Sequence, residues 1–295
     1  MKLIVELKSI TAINFFKKHK EVSHLLIGLK ETSLTPVYNF SIDEILKIKE
    51  KIKNTHLKLI LNAEKLFTDL ELDNIKKILQ KLPFDVIEYI TYSDFGFFQI
   101  LEELSLAHLA IFRAPTYLTN QFDVKIYKQL NNNVVLSSEI SSEELIALSN
   151  CLNFDVIVDL FGQTECFYSR RKLLTNYFIY RNTKKEVNNK RFNIIEELRN
   201  EAQPIVEDEA GTYIFEPHKH YLLEELNLID NIKMGIIHSN FLTNKQIEQI
   251  VLAYINYFDN NNSTEFYQKL DESKIDYYKG AYDIKSVLLK GGNPS

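Results

Sequence analysis

Apolar and polar positions alternate in blocks along the chain. Short runs rich in Ile, Val and Leu recur at Leu3 to Leu7, Leu25 to Leu29, Leu57 to Leu61, Val86 to Ile90, Leu109 to Phe112, Val134 to Leu136 and Val156 to Leu160. Each has the length of a strand and is apolar throughout, the pattern of a strand covered on both faces. Between these runs the apolar residues fall at helical spacing. At Ser41 to Lys53, Ile42, Ile45, Leu46 and Ile52 share one face, and Ser41 with Glu44 forms a capping box. Thr243 to Phe258 repeats the design, with Thr243 and Gln246 as its caps.

Strands alternating with helices at this rhythm require parallel pairing and right-handed crossovers, which leaves a barrel or an open doubly wound sheet. No glycine-rich turn follows the first strand, and Ile232 to Ile237 brings the strand count to about eight. Both features favour an α/β fold with a single TIM-like (β/α)8 barrel domain over residues 1–295. Residues 181–221 break the rhythm. Arg191 to Leu198 and Gln203 to Phe215 read as extended or hairpin structure around Glu209-Ala-Gly211, a small β-rich insertion before the last strand. Asn131 to Asn133 and Asn260 to Ser263 are polar tracts that read as loops.

Composition adds bounds. With 45% hydrophobic and 25% charged residues the chain has material for one full core. A net charge of -5 argues against a protein that coats nucleic acid non-specifically and leaves room for a local basic patch. The two cysteines, Cys151 and Cys166, match neither a CxxC motif nor a four-thiolate metal site, as expected in a reducing cytoplasm. The apolar run at Met1 to Glu6 is too short for a secretory signal and no later run approaches a membrane span, so a cytoplasmic protein is expected.

In a barrel, functional groups gather just past the strand ends. The residues found there are Asn62, Ser93, Asp94, Arg113, Ser138, Glu139, Arg170, Arg171, His238 and Ser239, each of which, taken singly, reads equally as an ordinary loop residue. Tyr168-Ser169-Arg170-Arg171-Lys172 follows the seventh strand, where two guanidiniums and an ammonium suit a carboxylate or phosphate, with Arg113 a further positive group. A solvated basic loop has the same composition. Arg181, Lys184, Lys185, Lys190 and Arg191, interleaved with Phe167, Tyr168, Tyr177, Phe178 and Tyr180, give the mixture that RNA phosphates and bases favour. The alternative puts the aromatics in the core and the lysines in solvent. His218 and His220 lack a third ligand nearby and read as surface residues, so no metal site is assigned; no His-Glu-x-x-His or Gly-x-Ser-x-Gly motif occurs.

The segment Phe161-Gly-Gln-Thr-Glu-Cys-Phe-Tyr-Ser-Arg-Arg-Lys-Leu-Leu-Thr175 resembles the signature of the collagenase-like U32 peptidase family: a glycine, a cysteine, a serine-x-arginine-cysteine cluster and an apolar pair. Val134-Val-Leu-Ser-Ser-Glu-Ile-Ser-Ser-Glu-Glu-Leu145 is similar to the strand and Ser-x-Glu-Leu-Ser helix start of the same family. The family's Pro-Ala-Gly opening after strand one is missing. Glu165 and Lys172 stand where many members have cysteines, and Cys166 is one place off. In those members the cysteines are associated with an iron-sulfur cluster, which needs about four ligands. This chain cannot supply four thiolates, and Cys151 reads as a small buried apolar residue.

Gly162 to Phe178 and Gly211 to Phe215 look most like a cysteine-poor branch that accompanies cysteine-bearing paralogues in low-GC Gram-positive bacteria. The resemblance implies a part in oxygen-independent hydroxylation of tRNA wobble uridine, with tRNA and a cluster-bearing paralogue as partners, the latter in a heterodimer, and with no DNA or membrane partner. It also implies no cluster in this chain, while a barrel mouth with Arg170, Arg171 and Glu139 suits an anionic small-molecule cosubstrate or RNA. Two other readings stay open: a U32-type hydrolase with Asp94, Glu139 or His238 as metal ligands or acid/base groups, and a non-catalytic structural partner.

Overall fold

The computed structural model describes residues 1–34, 38–114, 116–195, 197 and 201–283. Strands β1 (Lys2–Glu6), β2 (Val22–Leu29), β3 (Asn39–Phe40), β4 (Lys58–Ala63), β5 (Ile87–Tyr92), β6 (Ala110–Phe112), β7 (Asn133–Val134) and β8 (Val156–Gly162) follow the predicted apolar runs, β3 excepted. A second group comprises β9 (Glu165–Ser169), β10 (Arg191–Ile195), β11 (Ala202–Glu207) and β12 (Thr212–Phe215), followed by β13 (His220–Tyr221) and β14 (Ile232–Ile237). The helices are α1 (Ile13–Phe16), α2 (Ile42–Ile52), α3 (Asp69–Leu79), α4 (Phe95–Glu103), α5 (Gln121–Leu130), α6 (Ser142–Asn150), α7 (Leu173–Tyr180), α8 (Asn244–Asn260) and α9 (Ser263–Glu272).

Strands β8, β14, β1, β2, β4, β5, β6 and β7 lie side by side and parallel, with β3 pairing β2 and β13 antiparallel to β8. The sheet curls, and Val135, just past β7, bridges to Ile157 of β8. This is a mixed α/β fold with a curled parallel sheet of the TIM-barrel kind. Strand alternation divides the core in two. Ile4, Leu26, Ile60, Ile111, Val135, Ile157, Met234 and Ile236 pack together on the concave side, while Leu3, Val5, Leu25, Ile27, Leu59 and Leu61 face the helices. Capping boxes open α2, α3, α6 and α8, tying orphan N–H groups at the end of the sheet where the strands finish.

The second sheet is antiparallel, in the order β10-β11-β12-β9. It starts earlier than the composition of residues 181–221 suggests, because β9 leaves β8 after only Gln163 and Thr164. The segment Phe161 to Phe178 is therefore not one loop but the end of β8, an edge strand and most of a helix. The predicted hairpin at Gln203 to Phe215 is present as β11 and β12; the far end of the Arg191 to Leu198 reading lies outside the described residues. One face of this sheet, with Val206, Tyr213 and Phe215, packs on Leu34 after β2 and Phe241 after β14. The other face, with Ile205 and Ile214, is covered by Leu174 and Phe178 of α7. The second sheet thus sits over the C-terminal end of the barrel sheet.

Candidate functional site

Above the apolar layer the strand ends turn polar. Glu6 ends β1, Glu64 follows β4, Arg113 follows β6, Asp159 lies within β8 and His238 follows β14; all are between 1% and 5% exposed. Charges so deeply buried are tolerable only when paired. Arg113 donates from one terminal nitrogen to Glu64 at 2.5 Å and directs the other at Asp159, 3.4 Å away. His238 Nε2 lies 2.7 Å from Asp159 Oδ1 and 3.4 Å from the Arg113 guanidinium. Asp159 thus lies between the imidazole and the guanidinium and holds both. Glu6 accepts from the Ser239 amide at 2.6 Å and its hydroxyl at 2.9 Å. Gly162 permits the closeness of β8 to His238: its φ is +133°, and a Cβ there would lie 2.6 Å from His238 Cβ.

The electrostatics follow from this burial. For Asp159, burial opposes ionisation, but Arg113 and then His238 outweigh it and hold the carboxyl well below the usual range. Burial disfavours the His238 imidazolium too, yet Asp159 prevails and raises its pKa. His220, on β13, is buried with a weaker share of the same field, so burial wins and its pKa falls to about 4. Glu165 goes the other way: burial outweighs Arg113 and His238 and pushes it up to about 7. Glu165 can therefore exchange protons near neutral pH, which suits an acid or base role, while Asp159 holds His238 toward its charged form. Four buried polar atoms, Glu64 Oε1, Arg113 Nε, Asn240 Oδ1 and His220 Nε2, have no hydrogen-bond partner within the protein.

The residues singled out from the sequence separate into four groups. Arg113 and His238 are in the buried cluster, so the Arg113 guanidinium is already neutralised by two carboxylates. Glu139 is exposed between β7 and α6, and partial burial of its carboxyl, with the charge of Glu216, raises its pKa. Asp94 is occupied otherwise: it caps α4 by accepting from Phe97 N–H and also accepts from Phe67 N–H, both at 3.1 Å. Asn62 likewise accepts from the backbone of Leu34 and Glu64.

Tyr168, Ser169, Arg170, Arg171 and Lys172 belong to the second sheet and its turn. The Tyr168 hydroxyl donates to the Ala210 carbonyl, Ser169 Oγ accepts from Arg171 N–H, and Lys172 donates to the Asp208 carbonyl. Arg170 is exposed and pairs with Glu71 at 3.2 Å, and Arg171 is exposed. The two arginines and Arg113 are therefore not one cluster. A cleft of about 910 Å³ opens between the second sheet and the loops after β2 and β4, lined among others by Lys30, Lys65, Glu71, Arg191 and Phe241. Among the described residues, no group of three or more His, Cys, Asp and Glu is placed to hold a metal ion.

Several readings need correction. Cys151 is exposed at the end of α6, not buried. His220 is buried, not on the surface. Asp159 and Glu6 lie inside strands, where a rule that takes positions past strand ends passes them over, and Glu64, which does follow β4, stands three residues beyond the apolar run Leu57 to Leu61. The signal was present: a lone acid inside an otherwise apolar strand, Val156-Ile-Val-Asp-Leu160, has to find a partner at the barrel's polar end.

Cys151 and Cys166 flank β8 at opposite ends, on the order of 20 Å apart by strand geometry. They do not fit a shared iron-sulfur cluster. Burial, then Glu216, pushes the Cys166 thiol up to about 12. Iodoacetamide at pH 8 is expected to alkylate Cys151 at least tenfold faster than Cys166, read by peptide mass spectrometry. Equal rates would contradict this environment.

Comparison with known proteins places the chain. It matches the family model of Peptidase family U32 over residues 16–286 and belongs to that family. It is 29% identical over 101 residues to tRNA hydroxylation protein P2 of Bacillus subtilis (strain 168), a match covering 32% of this chain and 33% of that protein. The chain thus spans about a third of the length of this curated relative. Its fold is similar to that of the U32 peptidase Mk0906, with a TM-score of 0.52 at 12% identity, covering 81% of this chain and 92% of the other. No helix among the described residues is long and apolar enough to cross a membrane.

Proposed function

We propose that this protein takes part in oxygen-independent hydroxylation of tRNA wobble uridine, as a cluster-lacking subunit beside a cysteine-bearing paralogue in the cytoplasm. One observation carries the reading. A chain of the U32 family, similar in part to tRNA hydroxylation protein P2, has a buried Glu64-Arg113-Asp159-His238 site at its strand ends but no set of thiolates that could ligate a cluster. Such a chain completes or assists a partner's centre; it does not house one. This reading takes the curled sheet as a full (β/α)8 barrel forming one domain, with the Val135–Ile157 bridge as its seam and the second sheet as an insertion into it. Arg170 and Arg171, exposed near the cleft, receive the anionic cosubstrate, and Glu165 and His238 supply protons. Of the carboxylates a U32-type hydrolase would use, Asp94 is committed to backbone amides.

Cells lacking the gene should lose hydroxylated wobble uridine from their tRNA, measured by nucleoside mass spectrometry, and the wild-type gene should restore it. Arg170→Ala with Arg171→Ala should fold normally, both side chains being exposed, and fail to restore it. Unchanged nucleosides in the deletion strain would sink the reading; full rescue by the double variant would remove the arginines from it.

A further inference from the structure

Charge is segregated in this molecule. Residues 170 to 191 hold eight of the 35 Lys and Arg but one of the 40 Asp and Glu, so the remainder is more acidic than the net charge of -5 suggests. Aromatic rings surface in the same stretch. Leu174 and Phe178 turn the inner face of α7 to the second sheet, Tyr180, 83% exposed, lies away from it, and Tyr177, 54% exposed, lies on the flank with its ring 5.3 Å from that of Phe178. At a spacing of three residues these rings are neighbours on the helix surface, and Arg181, four residues from Tyr177, extends their row. The turn that follows adds exposed Lys184 and Lys185, the latter's ammonium lying 5.3 Å from the Phe178 ring centre and 4.8 Å from that of Phe192. Tyr180 stands almost wholly in water, and more than half of Tyr177 does too.

We infer that the outer face of α7, with Tyr177, Tyr180, Arg181, Lys184 and Lys185, is a docking surface for single-stranded RNA. Unpaired bases stack on the two tyrosines while the cations follow the phosphates. A duplex is disfavoured because its bases present edges, not faces, to such a row. The inference deepens the proposed tRNA role, since a wobble uridine lies in a single-stranded loop, and it gives a part to a surface remote from the buried cluster.

The test is fluorescence anisotropy of the purified full chain with labelled oligouridylate and with an RNA duplex of equal length. Oligouridylate should bind more tightly than the duplex. Tyr177→Ala with Tyr180→Ala should weaken it by about tenfold or more without changing its salt dependence, and Tyr→Phe at both positions should restore it. Arg181→Ala with Lys184→Ala should flatten the slope of log affinity against log salt by about 1.4. Unaltered binding by the alanine pair, equal affinity for the duplex, or displacement by polyglutamate as effective as by polyuridylate would each overturn the proposal; the last would point to an acidic protein partner. Tyrosine-dependent binding in a protein whose deletion leaves tRNA nucleosides unchanged would retain the surface and remove only the hydroxylation reading.

Discussion

Replacing Arg113 with Met is expected to destabilise the protein by about 3–5 kcal/mol at neutral pH, the usual cost of removing one partner from a buried ionic cluster. Met retains much of the arginine stem's volume, so packing contributes little. The loss is electrostatic. Asp159 keeps His238 at 2.7 Å, but Glu64, 3% exposed, loses the guanidinium it pairs with. The pH dependence tests this. In the wild type, the depressed pKa of Asp159 contributes stability above the ordinary aspartate value, lost as pH falls through its native one. Without Arg113 the largest influence opposing burial at Asp159 is gone, so its carboxyl gains by protonation and the deficit should shrink between pH 8 and pH 5 in urea unfolding. Adding Glu64→Gln should recover a large part of it at pH 7. An equal deficit at pH 5 and pH 8 would show that lost packing, not unpaired charge, causes the effect.

The frame of the molecule was legible in the residues because each element is specified locally. The buried strands are continuous apolar runs, a pattern that surface segments cannot carry. Ser41 with Glu44 and Thr243 with Gln246 close the capping boxes expected of them. Strand β3 was not legible, because two residues paired at one edge of β2 leave no periodicity. Nor was the start of the second sheet. Glu165 to Ser169 alternates only weakly, and its partner β12 lies more than 40 residues on, so no local signal marks it as an edge strand.

The site was legible in part for a related reason. Arg113 and His238 sit just past strand ends and were found by position alone. The same rule selected Asp94 and Asn62, which the fold uses to bind backbone amides, because an N-cap and a catalytic carboxylate look alike in sequence. The basic run at Arg170 to Lys172 is displaced from the buried cluster because β9 bends away from β8 after Gly162. Sequence order put those cations after the seventh strand, and the second sheet carried them to the cleft's edge.

Glu165, which stands where the family resemblance places a cysteine, links the site to stability. The residue is half-buried with its carboxyl enclosed, and burial raises its pKa from the ordinary 4.5 to about 7 against the opposing pull of Arg113 and His238. A carboxyl raised in the folded state favours folding while protonated. That contribution is full below the ordinary value and is lost as pH rises through about 7. Glu165→Gln keeps the position neutral at every pH, so the variant should match the wild type near pH 5 and exceed it by about 2–3 kcal/mol at pH 8 to 9. Urea unfolding across that range measures the difference, and parallel stability curves would show that the carboxyl is not held neutral. If the site uses this proton, the stabilised variant should also fail to support wobble-uridine hydroxylation in cells, the opposition between stability and activity expected where a strained charge is kept for chemistry. A variant that is both more stable at high pH and fully active would leave Glu165 as a buried acid with no part in the reaction.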